Sequence, residues 1–306
     1  MPAFQRERWC TPDGDFIDVD FLQHDQRAHD ASTATSARPL LVLFHGLEGS
    51  SSSHYAQAFA SWAWQQNIDL AIPHFRGCSG ELNLAPRAYH SGDHEEIDWI
   101  LKRLSRRQSP AVPVVAAGVS LGGNALMRWA GEQGSHAAHT VKAVASICAP
   151  LDLAASGQAI GQGFNRQVYT RMFLRSMKPK AMAKWQQYPG LFDAKRLQAS
   201  QDLYAFDNVF TAPLHGFVDT QDYWAQASAQ PLLSEIQIPA LALNAQNDPF
   251  IPASSLPTAP QVSRHVTLWQ PLHGGHVGFP SGPPRAHLAE MPQAVGGWLM
   301  ERVTHG

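Results

Sequence analysis

The stretch Val112 to Ala130, VPVVAAGVSLGGNALMRWA, constrains this chain more than any other. Val112 to Ala117 has the length and character of one buried parallel strand, and Leu121 to Ala130 repeats apolar residues at helical spacing. Between them stands Gly118-Val119-Ser120-Leu121-Gly122, a GxSxG pattern. A serine on so tight a strand-to-helix turn needs small neighbours, because its backbone is strained and passes close to adjacent elements. The turn exposes the Ser120 hydroxyl as a nucleophile and sets the Leu121 N–H at a helix N-terminus, where it can face an oxyanion. The bare pattern also arises by chance as a plain glycine turn; the strand before it and the helix after it give it weight.

A chain built around such a turn is an α/β protein with a mostly parallel, twisted sheet and helices on both faces. Its 306 residues, 44% of them apolar, are enough to bury a large core. A formal net charge of −2 and the absence of a phosphate-contacting basic tract argue against a nucleic-acid partner. The N-terminus has no apolar leader, and no stretch reaches the about 18 uninterrupted apolar residues of a spanning helix. Three scattered cysteines, Cys10, Cys78 and Cys148, form no CxxC pair and fit a reducing compartment. The expectation is a cytoplasmic protein.

In chain order, Arg6 to Cys10 and Asp15 to Leu22 flank the turn signal Pro12-Asp13-Gly14, which predicts an opening β-hairpin. Asp25 to Arg38 is polar and reads as a mobile surface loop. Leu40 to Phe44 is wholly apolar, a central strand, and runs into His45-Gly46-Leu47-Glu48-Gly49. A glycine-rich turn there can supply the second oxyanion donor, assigned to the Leu47 N–H, while His45 reads as a structural hydrogen-bonding histidine. After the strand Ile68 to Pro73, Arg76 is a candidate buttress of the neighbouring loops. Ile97, Ile100, Leu101 and Leu104 give the next helix one apolar face. His90 and His94, four apart, have metal-ligand spacing but lack the Glu-x-x-His context, so no metal is expected.

Val141 to Cys148 reads as another buried strand, with Asp152 just beyond it. From Ala154 to Ala229 the pattern changes to helical pieces broken by Pro179, Pro189-Gly190 and Pro213. This predicts a core in two parts, 1–153 and 230–306, with a helical lid insertion over 154–229. Phe164 to Leu197 carries eight cations against the single acid Asp193. The first reading is a solvated basic face over an apolar underside that lines a pocket; the second is peripheral contact with an anionic membrane. Trp185, Phe164 and Met172 are the pocket-lining candidates.

Ile238 to Leu243 and His265 to Gln270 are the last strands, and Ala286 to Val303 closes the chain as a helix with Leu288, Val295, Trp298 and Leu299 inward. Asp248 lies just past the first of these strands, where Pro249 stiffens the turn, and reads as the acid that orients a histidine. After the second come His273 and His276. The glycines before His276 let its loop fold over the sheet edge, so His276 is preferred as the general base over His273 or a metal pair of both. The order Ser120, Asp248, His276 is that of the α/β-hydrolase architecture. The predicted chemistry is an acyl-serine mechanism that needs no cofactor, acting on a small acyl ester. Two other readings stand beside it: a thioesterase or amidase using the same groups, and a catalytically silent fold that binds lipid.

Five ordered motifs carry a family resemblance: FHGLEG from Phe44, RGCSGE from Arg76, YHSGD from Tyr89, GVSLGGN around Ser120, and GHVGF from Gly275. Together they resemble the YheT-like branch of α/β hydrolases, also called AB hydrolase family 4. Asp207-Asn208, Ala212 to Phe217 and Tyr223 look like that branch's exit from the lid. The resemblance implies a carboxylic ester hydrolase, with animal relatives that cleave acylglycerols or phospholipids, and makes a monoacylglycerol-type substrate an expectation. It departs at Leu82-Asn83, where the family often has Pro-Asn.

Overall fold

The computed structural model describes residues 2–24, 38–280 and 288–304. The loop expected over Asp25 to Arg38 lies, apart from Arg38, outside the described residues. Eight strands form one sheet: β1 (Phe4–Cys10), β2 (Phe16–Leu22), β3 (Leu40–Phe44), β4 (Asp69–Pro73), β5 (Val114–Val119), β6 (Val144–Ile147), β7 (Ala240–Leu243) and β8 (Val266–Trp269). Their order is β1-β2-β4-β3-β5-β6-β7-β8, with the β1–β2 and β2–β4 pairs antiparallel and every other pair parallel.

Strand β3 shows why the apolar runs are continuous. Leu40, Val42 and Phe44 join the core cluster under α2 (His94–Arg107) and α3 (Leu121–Gln133). Leu41 and Leu43 join the one under α1 (His54–Gln65) and the C-terminal helix Glu290–Thr304. A parallel strand covered on both faces has no polar side to show. At the outer edge the logic reverses. Arg6 and Arg8 of β1 stand opposite Asp20 and Asp18 of β2 and bind them at 2.7 and 2.8 Å, so charge occupies the edge where another chain would otherwise pair.

Several boundaries differ from expectation. Strand β5 starts at Val114, because Pro113 has no N–H and only its carbonyl joins the ladder, accepting from Leu40 at 3.0 Å. It runs on to Val119, pairing Gly118 with Phe44 and Val119 with Ile147. The last helix begins at Glu290 and leaves Leu288 before it, half-buried; residues 286 and 287 lie outside the described residues.

Between β6 and β7 the chain is helical, from α4 (Leu153–Ile160) through the long helix Arg171–Gln187 to Thr220–Ala227. Pro179 sits inside the long helix and does not break it as the sequence predicted. One proline removes one backbone bond, and buried Leu174, Ala181 and Lys184 hold the helix down on both sides of it. Pro189-Gly190 does lie just beyond its end.

Candidate active site

The C-terminal ends of the parallel strands converge on one spot. Ser120 follows β5 at φ 52° and ψ −118°, a strained conformation for a residue with a Cβ. The packing around it explains the glycines. A Cβ on Gly122 would sit 2.5 Å from the His45 carbonyl oxygen, and one on Gly118 would collide with the Gly122 carbonyl.

The structure brings Ser120, Asp248 and His276 together. His276 Nε2 lies 3.1 Å from Ser120 Oγ, and Nδ1 lies 2.8 Å from Asp248 Oδ2. The other Asp248 oxygen accepts the Phe250 N–H at 2.8 Å, which fixes the carboxylate. Asp248 is buried and uses both oxygens, so Nδ1 carries the proton and Nε2 is left to accept from the serine. The Phe250 ring packs on the His276 ring, centroids 4.3 Å apart. His273, the competing histidine, is exposed.

The Gly46-Leu47-Glu48 turn lines the same cavity as Ser120. The Gly46 N–H donates to the Tyr55 hydroxyl at 2.9 Å, and the Glu48 N–H donates to the Tyr89 hydroxyl at 2.9 Å. The Leu47 N–H between them, and the Leu121 N–H at the start of α3, have no partner among the described residues. Two tyrosines thus fix the flanks of one free donor. His45 is structural: its ring donates to the Gly46 carbonyl (2.8 Å) and accepts the Phe75 N–H (3.0 Å), and burial pushes its pKa down to about 3.

A cavity of about 170 Å³ leads away from Ser120 under the inserted helices. Its walls are mainly apolar, including Ile160, Phe173, Met177, Leu203, Phe206 and Phe210. Of the three expected lining residues, none lines it: Phe164 is 71% exposed, Met172 is 54% exposed, and Trp185 is half-buried elsewhere. Phe173 and Met177 face the cavity instead, a turn away on the long helix.

Other groups that sequence reasoning passed over hold the frame. Asn124 on α3 donates to the Ser91 carbonyl (2.8 Å) and the Ala227 carbonyl (2.9 Å) and accepts the Ala229 N–H (2.9 Å), joining the helix after Ser120 to the loop before α2 and to the C-terminal end of the insertion. The signal was there in the sequence, an asparagine on an apolar helix face four residues after Ser120. Lys184 is buried and donates to the Asn83 and Ala85 carbonyls at 2.6 and 2.9 Å, with burial lowering its pKa to about 8. Arg76, the candidate buttress, is buried and reaches Asp13, Asp15 and Glu96, each at 2.8 Å.

His90 and His94 do not converge. The His90 ring packs on that of His215, centroids 4.6 Å apart, while His94 faces Glu132 at 4.0 Å. Cys148, Asp248 and His276 offer ligand atoms within 4.8 Å of one another, the one such group among the described residues. Those atoms are already engaged, since Asp248 and His276 bind each other and Cys148 Sγ accepts the Val277 N–H at 3.4 Å. Burial, then the Asp248 charge, pushes the Cys148 thiol up to about 12.

Residues 39–283 match the family model described as the alpha/beta hydrolase fold, and the chain belongs to that family. Within it the chain is YheT-like. It is 37% identical over 278 residues to YheT of Escherichia coli (strain K12), a relative named as an esterase, spanning 90% of this chain and 78% of that one. It is 27% identical over 307 residues to the Mus musculus protein named phospholipase ABHD3, spanning 99% of this chain and 73% of that one. Among solved structures, the Pyrococcus furiosus esterase Pf2001 overlays with a TM-score of 0.60 at 14% identity, covering 99% of this chain and 92% of that one, a likeness of fold. Among the described residues, no helix is long and apolar enough to cross a membrane.

Proposed function

We propose that the chain is a serine hydrolase of carboxylic esters that works through an acyl-serine intermediate. The observation that carries this reading is the Ser120–His276–Asp248 chain of contacts, 3.1 and 2.8 Å, at the mouth of an apolar cavity. His276 takes the Ser120 proton as Oγ attacks the ester carbonyl, and Asp248 stabilises the imidazolium. The Leu47 and Leu121 N–H groups receive the oxyanion. His276 then protonates the departing alcohol, and water, activated by the same imidazole, releases the acid. The cavity takes the acyl chain, and the helical insertion over 154–229 acts as its lid. Relatives named esterase and phospholipase support an ester over a thioester or amide.

The test is labelling with a fluorophosphonate probe, with a panel of p-nitrophenyl esters of increasing chain length. Wild type is expected to label and to turn over a preferred chain length, and Ser120→Ala to lose about 10³-fold or more in turnover while keeping its far-UV spectrum. Labelling and turnover that survive Ser120→Ala would remove the assigned nucleophile. Faster cleavage of matched thioesters would move the substrate class.

We further infer a peripheral contact with anionic lipid. The outward face over residues 164–175 presents Phe164, Gln167, Val168, Arg171, Met172 and Arg175, all exposed. No acid lies between Asp152 and Asp193. Exposed apolar side chains interleaved with cations suit a negatively charged bilayer surface. The three free cysteines suit a reducing cytoplasm.

A further inference from the structure

Glu48 is an awkward neighbour for an oxyanion site. It follows Leu47, and its backbone is held at φ 57°, a region that favours glycine. The Tyr89 hydroxyl accepts the Glu48 N–H and donates back to Glu48 Oε1, both at 2.9 Å, so one hydroxyl holds backbone and carboxylate together. Tyr89 is itself pinned by stacking on Phe75, centroids 5.4 Å apart and planes 8° from parallel. The carboxylate is therefore fixed in the cavity wall beside the place where negative charge develops during acyl transfer. Unneutralised, it would raise the barrier that the Leu47 and Leu121 donors lower.

The neutralising charge comes from the insertion. Lys180 Nζ lies 2.9 Å from Glu48 Oε2, and both residues line the cavity that holds Ser120. Among the described residues, Lys180 is the one cation of 154–229 that pairs with an acid. Its partner is not in the insertion but in the turn that bears the oxyanion donor.

We propose that Lys180 is a positioning and neutralising residue for the oxyanion site. Seated on Glu48, it cancels the carboxylate's field and fixes the turn around the Leu47 N–H, so full turnover requires the long helix to be in place. The assignment rests on the acyl-serine reading above.

The experiment is a mutant cycle on a short, soluble p-nitrophenyl ester that does not fill the cavity. Lys180→Met is expected to lower kcat about ten- to a hundred-fold with KM nearly unchanged, because the loss is confined to the transition state. Lys180→Arg should restore most of the rate. The decisive variant is Lys180→Met with Glu48→Gln: the amide still accepts from Tyr89 but carries no charge, and kcat should recover to within a few-fold of wild type. A latch that served only to hold the helix would be broken as thoroughly in the double variant and would not recover. Wild-type kcat in folded Lys180→Met, or a double variant no better than the single one, overturns the proposal. If wild type turns over the ester no faster than Ser120→Ala, the acyl-serine reading fails and takes this one with it.

Discussion

The sheet edge and the inserted helices both carry many cations, and they use them in opposite ways. At the edge, Arg6, Arg8, Arg76, Arg87 and Arg107 each close on a carboxylate of another segment. In the insertion, Arg166 reaches only the Gln201 amide, and Lys178 reaches the Gln198 and Ser200 carbonyls. Arg171 and Arg175 meet no acid among the described residues. The first set consists of staples between neighbouring strands, turns and helices, from 6 positions apart for Arg87–Asp93 to 100 for Arg107–Glu7. In the second, Arg166, Arg171 and Arg175 are exposed, free to meet something that is not part of the chain. The acids divide likewise. Burial alone would raise Asp20, yet hydrogen bonds from Arg6, His74 and Ser51 hold its pKa far below the usual carboxylate range. Asp207 in the insertion has only Thr211 and Trp224 as partners, and burial raises its pKa to about 6.

The sharpest break in this comparison would come from Arg76. It ties the hairpin turn to α2, and its acids Asp15 and Glu96 are buried with it. Removing one partner from a buried ion network leaves uncompensated charge, which costs about 3–5 kcal/mol. Arg76→Met is expected to lower the unfolding free energy by that amount, read as a lower urea midpoint at unchanged m-value. A loss under about 1 kcal/mol would mean that the network is a dispensable surface feature, and the contrast with the insertion would collapse.

Asp207 gives an effect of similar kind and somewhat smaller size. Its folded pKa stands above its unfolded one, so between the two values the native state holds a proton that the unfolded chain has lost. Stability from this group is therefore full below about pH 4 and declines as pH rises to about 6, by about 3 kcal/mol in total. In Asp207→Asn that decline is absent, so the gap between wild-type and variant unfolding free energies should move in the variant's favour across the window and stay level above it. Denaturation series at several pH values measure the gap. A flat difference would show Asp207 ionised in the folded state.

How much of this was legible in sequence depended on range. The elbow was readable because its glycines, strand and helix are contiguous, and β3 matched its apolar run residue for residue. Asp248 and His276 were legible because each follows a strand whose end must lie at the sheet's C-terminal edge. Facing residues were not legible. Phe164 and Met172 look like lining residues by hydrophobicity, but Phe173 and Met177 face the cavity, because the long helix turns the latter inward. The Lys180–Glu48 pair spans 132 positions between two folded segments, and nothing local to either residue announces it. Pro179 misled for the opposite reason: a strong local signal was overridden by burial on both sides of it.

The smallest effect on stability is expected where the comparison says charge is not structural. Arg171→Ala with Arg175→Ala should change the unfolding free energy by less than about 0.5 kcal/mol, as for surface groups without partners. The same pair should matter outside the chain. Two cations near an anionic bilayer contribute about 1 kcal/mol each, so the double variant should bind phosphatidylglycerol-containing vesicles at least tenfold more weakly than wild type. Flotation with phosphatidylcholine alone should recover neither protein, and added salt should release the wild type by screening. Equal recovery of wild type and variant on anionic vesicles would remove these arginines from lipid contact. Conversely, a large loss of stability in the variant would show that the insertion staples itself as the sheet edge does. Weaker binding at unchanged stability is the one result that keeps the two sets of cations distinct, with the sheet-edge arginines holding the chain together and the lid arginines holding it to a surface.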